Sequence, residues 1–326
     1  MSARTIVMLA IAVIGVPLVL AGYIFLSERL LGKAAKKQDS PARAIFWLAP
    51  AIVLLLVFLV YPIVTTIVLS LKDASSEGFV GVQNYAYIFT DKNMLLVLRN
   101  NGLWLVFFTL VTLTLGLLIA LLADRVKYEA VAKALIFLPM AISFVAAGII
   151  WKFMYDFQPA GATQVGTINA TLSALVPAFK PKAWLFDTGT NNAALITVGV
   201  WMWTGFAMVI LSAGLKGIPV ELLEAARIDG ASEFQVLRRV TLPLLAPTLT
   251  VVATTLIIDV LKIFDVVYVM TNGNLGTEVI ANRMYKEMFN YHNYGRASAI
   301  AVLLLVVIAP VMAMNIKRFK QGGTNG

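Results

Sequence analysis

The sequence has no cysteine, a single histidine and few charged residues. The lack of cysteine excludes a disulfide framework, an iron–sulfur cluster and a thiol nucleophile. The lone His292 leaves a histidine-rich metal site without ligands. Only 13% of the 326 residues are charged and 60% are apolar, against about 25% and about 45–50% in soluble domains. A water-soluble globule of this size cannot bury so much apolar surface, so the composition predicts an integral membrane protein.

The sequence also lacks a phosphate-binding G-x-x-x-x-G-K-[ST] motif and any pairing of a nucleophile with a base. We therefore expect no catalytic residue, and any ATP must be hydrolysed by another chain. The net charge of +9 is interpreted as positive charge at the cytoplasmic membrane surface and not as a nucleic-acid site.

Apolar runs long enough to cross a bilayer, which takes about 20 residues, predict an all-α polytopic bundle of about seven spans. They cover residues 6–26, 45–71, 102–122, 134–155, 193–215, 248–270 and 297–315. We interpret the first run as a retained anchor, because Tyr23 to Phe25 occupy the place of a small-residue cleavage site.

Lysine and arginine predict the orientation of the chain. The alternating segments 27–44, 123–133, 216–247 and 317–326 carry 15 of these residues, and the opposite segments carry nine. Positive residues favour the cytoplasmic side, so we predict an outside N-terminus and a cytoplasmic C-terminus. The predicted domains follow from the same division. They are an anchor with a basic linker (1–44), a membrane domain (45–316) and a cytoplasmic tail (317–326).

The longest inner connection, residues 216–247, predicts two short helices. Pro219 is suited to the start of the first helix, and Asp229-Gly230 supplies a stop. Ser232 with Gln235 forms a capping box at the start of the second helix. We expect this helix to end at Thr241-Leu242-Pro243, because proline cannot continue it.

Glu224-Ala225-Ala226, followed after three residues by Gly230 and after nine more by Val240-Thr241-Leu242-Pro243, resembles the EAA loop of ABC importer permeases. Only Val240 departs from the family pattern, where isoleucine is usual. Stretches at 81–85, 137–139, 264–273 and 295–300 extend the likeness to the carbohydrate branch, whose members include maltose permeases. Residues 271–285 resemble permeases for α-glucosides. The large extra periplasmic domain of the maltose subunit has no counterpart here. We call residues 216–247 the EAA loop.

The resemblance implies an ABC type I importer permease in the bacterial inner membrane. Its expected partners are a second homologous permease, a dimer of ATPase subunits that use ATP and Mg²⁺, and an extracytoplasmic sugar-binding protein, beside membrane lipid. This chain itself is expected to bind no cofactor. The residues implied in ATPase coupling are Glu221, Glu224, Ala225, Ala226, Arg227, Asp229, Gly230, Leu242 and Pro243. The alternative is a connector that only caps the bundle.

A sugar site needs aromatic rings interleaved with polar groups. Alignment on the family motifs, together with the position of Lys262 one helical turn after Asp259, selects candidate substrate contacts. They are Met140, Met202, Trp203, Phe206, Asp259, Val260, Lys262 and Ile263. A carboxylate about 12 residues into a span costs roughly 2.5–3.5 kcal/mol, so Asp259 should face a wet cavity or a cation. It either binds substrate hydroxyls or forms an Asp259–Lys262–Asp265 cluster between helices. For the aromatic candidates the alternative is a packing role, which is the more frequent role of aromatic residues in a helical bundle.

A secondary, ion-coupled transporter is the alternative function. It needs inverted repeats and midplane carboxylates, but only Asp259 qualifies and no repeat is visible. A membrane scaffold or enzyme would not be expected to carry the EAA spacing.

Overall fold

The computed structural model describes residues 41–322 except 125 and 160, with isolated positions at 15, 18, 21–25 and 29. The predicted span 6–26 and the basic linker before residue 41 lie outside the continuous described part. The contacts divide the chain into a unit ending at Thr65 and a second unit beginning at Thr66. The second unit holds the packed bundle and the candidate sites.

Helices account for nearly all regular structure in the described part, which otherwise has one isolated β-bridge between Lys72 and Phe79. The first seven helices are α1 (Pro41–Leu55), α2 (Tyr61–Ser70), α3 (Gln83–Thr90), α4 (Lys92–Leu103), α5 (Thr109–Ala123), α6 (Glu129–Phe137) and α7 (Phe144–Met154). The following eight are α8 (Thr167–Leu175), α9 (Asn191–Lys216), α10 (Val220–Ile228), α11 (Glu233–Val236), α12 (Leu242–Leu261), α13 (Asp265–Met270), α14 (Ile280–Tyr285) and α15 (Tyr294–Gly322). Wide π-helical turns join α1 to α2, α4 to α5 and α11 to α12 into continuous helices.

Five continuous helices are long and apolar enough to cross a membrane, which confirms the predicted helical bundle. They are Trp47–Ser70, Lys92–Ala123, Asn191–Lys216, Glu233–Leu261 and Tyr294–Ala313. A sixth candidate is bent by 99° between Ala141 and Phe144. The predicted span over 134–155 is therefore divided into two helices by a sharp bend. Pro139 lies in a 3₁₀ turn there, and the Ser143 hydroxyl accepts a bond from the Ala146 N–H (3.2 Å), which starts a new helix.

Helix α9 lies at the centre of the bundle, and two thirds of its most apolar 18-residue stretch is buried. It packs along α5 and also contacts α6 and α12. Gly205 permits the contact with α6, because a Cβ at this position would lie 2.5 Å from the Ile136 carbonyl oxygen. The buried core accordingly forms around side chains of α9, such as Leu195, Met208 and Leu211.

The second helix of the EAA loop extends well beyond its predicted end. It does not end at Pro243 but runs from Glu233 to Leu261. The π turn Leu237–Thr241 precedes the proline, and such a wide turn can accommodate the carbonyl that the proline ring would otherwise meet. The prediction of a span over 248–270 is also wrong, because the helix stops at Leu261 and α13 starts at Asp265. A lysine at the end of α12 and an acid at the start of α13 suit the two helix dipoles.

Candidate functional site

A pocket of about 230 Å³ lies where α12 ends and brings together five of the eight predicted substrate contacts. These five are Trp203, Asp259, Val260, Lys262 and Ile263. The remaining lining residues are Phe108, Phe144, Phe264 and Asp265. We call this cavity the Asp259 pocket. Its wall combines aromatic rings with carboxylates and an ammonium group, so it can offer both stacking and hydrogen bonding to a ligand.

Asp259 forms an ion pair with Lys262, at 3.2 Å between Oδ1 and Nζ. The Asp259 side chain is 26% exposed and the Lys262 side chain 58% exposed, so the pair borders open space. None of the salt bridges among the described residues joins Asp265 to Lys262. Asp259 occupies the last turn of α12, next to the helix break, and not the middle of a continuous helix as predicted.

Three of the predicted contacts do not line the Asp259 pocket. Phe206 packs edge-on against Trp203, with ring centroids 5.4 Å apart. Met202 is buried on the core side of α9. Met140 is half-buried in the 3₁₀ turn Leu138–Ala141, which packs against α9.

Four aromatic rings continue from the pocket, and we call them the aromatic row: Phe264, Tyr268, Tyr285 and Phe289. Their successive ring centroids are 5.0, 5.4 and 4.9 Å apart. A hydrogen bond with Tyr268 raises the pKa of Tyr285. None of these four rings is among the substrate contacts predicted from the sequence. Its signal was the aromatic pair at four-residue spacing in each of two segments, which places each pair on one helix face.

The first predicted helix of the EAA loop and the predicted capping box are confirmed, whereas the second predicted helix is the start of the long helix Glu233–Leu261. Helix α10 ends in a Schellman motif, in which the Ala231 N–H donates to Ala226 (3.1 Å) and the Gly230 N–H donates to Arg227 (3.0 Å). Gly230 has φ +82° with open space around it, so a side chain there would be strained but would not collide.

Arg227 fastens the end of α10 to the start of the next helix. Its Nε donates to Glu233 Oε1 at 2.7 Å, and this bond raises the pKa of the guanidinium. Glu221, Glu224, Ala225, Asp229 and Gly230 are exposed. Leu242 and Pro243 start α12. Helix α10 also has three exposed apolar side chains that the sequence did not predict as coupling residues, namely Val220, Leu222 and Ile228, the last 85% exposed. Val220 and Ile228 lie on the same side of the helix as Glu221 and Glu224, and such a mixture of exposed apolar and acidic side chains suits a docking surface.

Lys133 joins three helices at the end of the bundle that carries the EAA loop. Its Nζ contacts Asp124 and Glu129 at 2.5 Å and also bonds Ser212 of α9. Lys216, also at the end of α9, pairs with the same Glu129 at 2.5 Å. In the sequence, these lysines indicated only the orientation of the chain. In the structure their ion pairs connect the ends of α5, α6 and α9 beside the EAA loop.

Residues 103–317 match a family described as "Binding-protein-dependent transport system inner membrane component". The chain belongs to this family. The match covers both the EAA loop and the Asp259 pocket. The predictions of a permease and of an inner-membrane location are thereby confirmed. The orientation of the termini stays a prediction.

Two relatives resemble this family member over most of their length. The osmoprotective compounds uptake permease protein GgtC of Synechocystis is 55% identical over 84% of this chain and 98% of its own. The alpha-glucoside transport system permease protein AglF of Rhizobium meliloti is 43% identical over 90% of this chain and 88% of its own. These likenesses confirm the predicted resemblance to ABC importer permeases.

A solved structure shows the same fold. It is a bacterial ABC transporter involved in the import of the acidic polysaccharide alginate, 23% identical, with a TM-score of 0.68 over 83% of this chain and 94% of its own. The predicted fold class, an all-α importer permease bundle, is confirmed.

Proposed function

We propose that this permease carries a neutral α-glucoside, including α-glucosides that serve as osmoprotectants, across the inner membrane by alternating access. The observation that carries the proposal is the Asp259 pocket, where aromatic rings and a paired carboxylate meet at a helix break. Two relatives support the substrate class, since one is named for α-glucosides and the other for osmoprotective compounds.

The break between α12 and α13 supports a role in translocation. Non-helical backbone at membrane depth is tolerated where it is buried in protein or lines a wet cavity. Transporters commonly bind their substrate at such discontinuous helices. Here the break carries Lys262, Ile263 and Phe264, and all three line the pocket.

The aromatic row extends this site. Aromatic faces stack on the C–H faces of a sugar ring, while the Tyr268 and Tyr285 hydroxyls can bond to sugar hydroxyls. A row with ring spacings near 5 Å therefore offers successive stacking positions beside the pocket. Trp203 supplies a further ring inside the pocket.

We further propose that the EAA loop docks on an ATPase subunit on the cytoplasmic side. The exposed face of α10 combines apolar and acidic side chains, and the Arg227–Glu233 pair fixes α10 to the helix that continues into α12. A push on α10 would thus move the continuous helix Glu233–Leu261, and the Asp259 pocket lies at the far end of that helix. The remaining proposed partners are a second permease and an extracytoplasmic sugar-binding protein.

Uptake of a radiolabelled α-glucoside into proteoliposomes tests the site. We expect Asp259→Asn to raise KM roughly tenfold, because a hydrogen bond from a sugar to a charged group is lost, while the yield of folded protein stays unchanged. Asp187→Asn, in an exposed loop, is the control and should transport normally. Unchanged uptake with lowered thermal stability would instead assign Asp259 a purely structural role. Uptake driven by a sodium or proton gradient without ATP would contradict the proposed function.

A further inference from the structure

A groove of about 490 Å³ runs between the continuous helix Lys92–Ala123 and α9. One wall is formed by Arg99, Leu103, Phe107, Val111 and Leu115. These residues recur every four positions, so they form a single slanted stripe along the helix. The groove shares no lining residue with the Asp259 pocket. Phe107 faces the groove while its neighbour Phe108 faces the pocket.

The part of the groove from Leu103 to Leu115 is apolar and open. Phe107 is 51% exposed, and Val111 and Leu115 are each 38% exposed. Across from them lie the apolar side chains of Ile196 and Val200 on α9. From Leu103 to Leu115 the helix rises about 18 Å. This length fits one leaflet of a bilayer, which contributes about 15 Å of hydrocarbon.

The end of the groove at Arg99 is cationic and polar. Arg99 is exposed and forms no salt bridge with any residue that the structure describes. Thr188, Gly189 and Asn192 complete the rim beside it. A guanidinium group binds phosphate oxygens through two parallel N–H donors, and it favours anionic over zwitterionic surfaces.

We propose that this groove binds one phospholipid with an anionic headgroup, with the phosphate at Arg99 and an acyl chain along Leu103 to Leu115. Two features favour a phospholipid over a helix of a partner subunit. One is the positive charge of Arg99, and the other is the apolar trough from Leu103 to Leu115, whose length matches one leaflet. A partner helix would need a carboxylate to meet Arg99 and would continue past the trough. The bound lipid would seal the seam between α5 and α9.

Native mass spectrometry of the full chain, isolated from membranes with the subunits that accompany it, tests this proposal. The protein is exchanged into phosphatidylglycerol or phosphatidylcholine, and retained lipid is counted. The wild type should retain phosphatidylglycerol preferentially. Arg99→Gln should reduce this preference roughly fivefold, as expected for one basic residue at a lipid surface. Lys152→Gln, which removes an exposed cation at the end of α7 outside the groove, should retain it.

A second variant tests the apolar part of the groove and leaves Arg99 unchanged. Val111→Trp fills the trough and should lower retention of both lipids while the assembly remains intact. The proposal fails if Arg99→Gln retains phosphatidylglycerol like the wild type. It also fails if a cysteine placed at Val111 crosslinks to a partner permease, because the groove would then be a subunit interface.

Discussion

Two lysines show how burial determines the contribution of an ion pair to the stability of this permease. The side chains of Lys286 and Glu278 are each only 11% exposed, and their charged atoms lie 2.6 Å apart. Asn282 donates a further bond to the same carboxylate. Lys262 and Asp259, in contrast, border the open pocket. Removing one partner of a buried pair leaves an uncompensated charge, whereas an exposed pair contributes little.

We therefore expect Lys286→Met to lower the free energy of unfolding by about 3–5 kcal/mol. The matched variant Lys262→Met should lower it by less than about 1 kcal/mol. Thermal unfolding of both variants in the same detergent measures the difference. Equal shifts in Tm would show that the Glu278–Lys286 pair is not the buried anchor that its geometry indicates.

Individual residues could be predicted where a motif fixes their local geometry. Ser232 and Gln235 were expected to form a capping box, and Gly230 was expected to end α10, because both roles depend only on neighbouring backbone. The surroundings of Asp259 were predicted less well. Its depth depended on where α12 begins and ends, and a local pattern does not determine these bounds.

At the scale of elements, helix continuity was the main difference between prediction and structure. Pro243 does not interrupt its helix because a π turn precedes it, while Lys262 to Phe264 break a run that contains no proline or glycine. The aromatic row was missed for a related reason, since its members lie on two segments whose meeting depends on tertiary packing.

The contact of α6 with α9 depends on the small size of Gly205. We expect Gly205→Ala to destabilise the bundle by about 1–3 kcal/mol, because the new Cβ would overlap the backbone of α6. Gly102→Ala is the control, since it lies in a helix with open space around it and should be neutral or stabilising by about 0.5–1 kcal/mol. Thermal unfolding compares the two, and a stable Gly205→Ala variant would contradict the close approach.

The aromatic row should affect substrate binding more than stability. Tyr285→Ala removes the ring between Tyr268 and Phe289, so we expect α-glucoside KM to rise roughly fivefold. Phe186→Ala removes an exposed ring from the loop before α9 and should leave KM unchanged. Concentration-dependent uptake in proteoliposomes measures both. Equal KM values would remove the row from the proposed sugar path.

For the whole molecule, composition and the EAA spacing were sufficient to predict the class, because a bilayer span and a family loop both leave strong local patterns. The placement of sites depended on packing around α9, which joins distant segments. The central claim is that the EAA loop transmits the movement of an ATPase to a pocket at the far end of α12.

ATP-dependent uptake by the reconstituted transporter tests this claim most directly, with Gly230→Asp compared against Gly161→Asp. Both glycines have a positive φ and open space around them, but Gly161 lies in the loop between α7 and α8 and Gly230 lies in the EAA loop. We expect Gly230→Asp to abolish ATP-driven uptake while the membrane bundle remains folded, and Gly161→Asp to transport normally. Uptake at the wild-type rate by Gly230→Asp would contradict the claim.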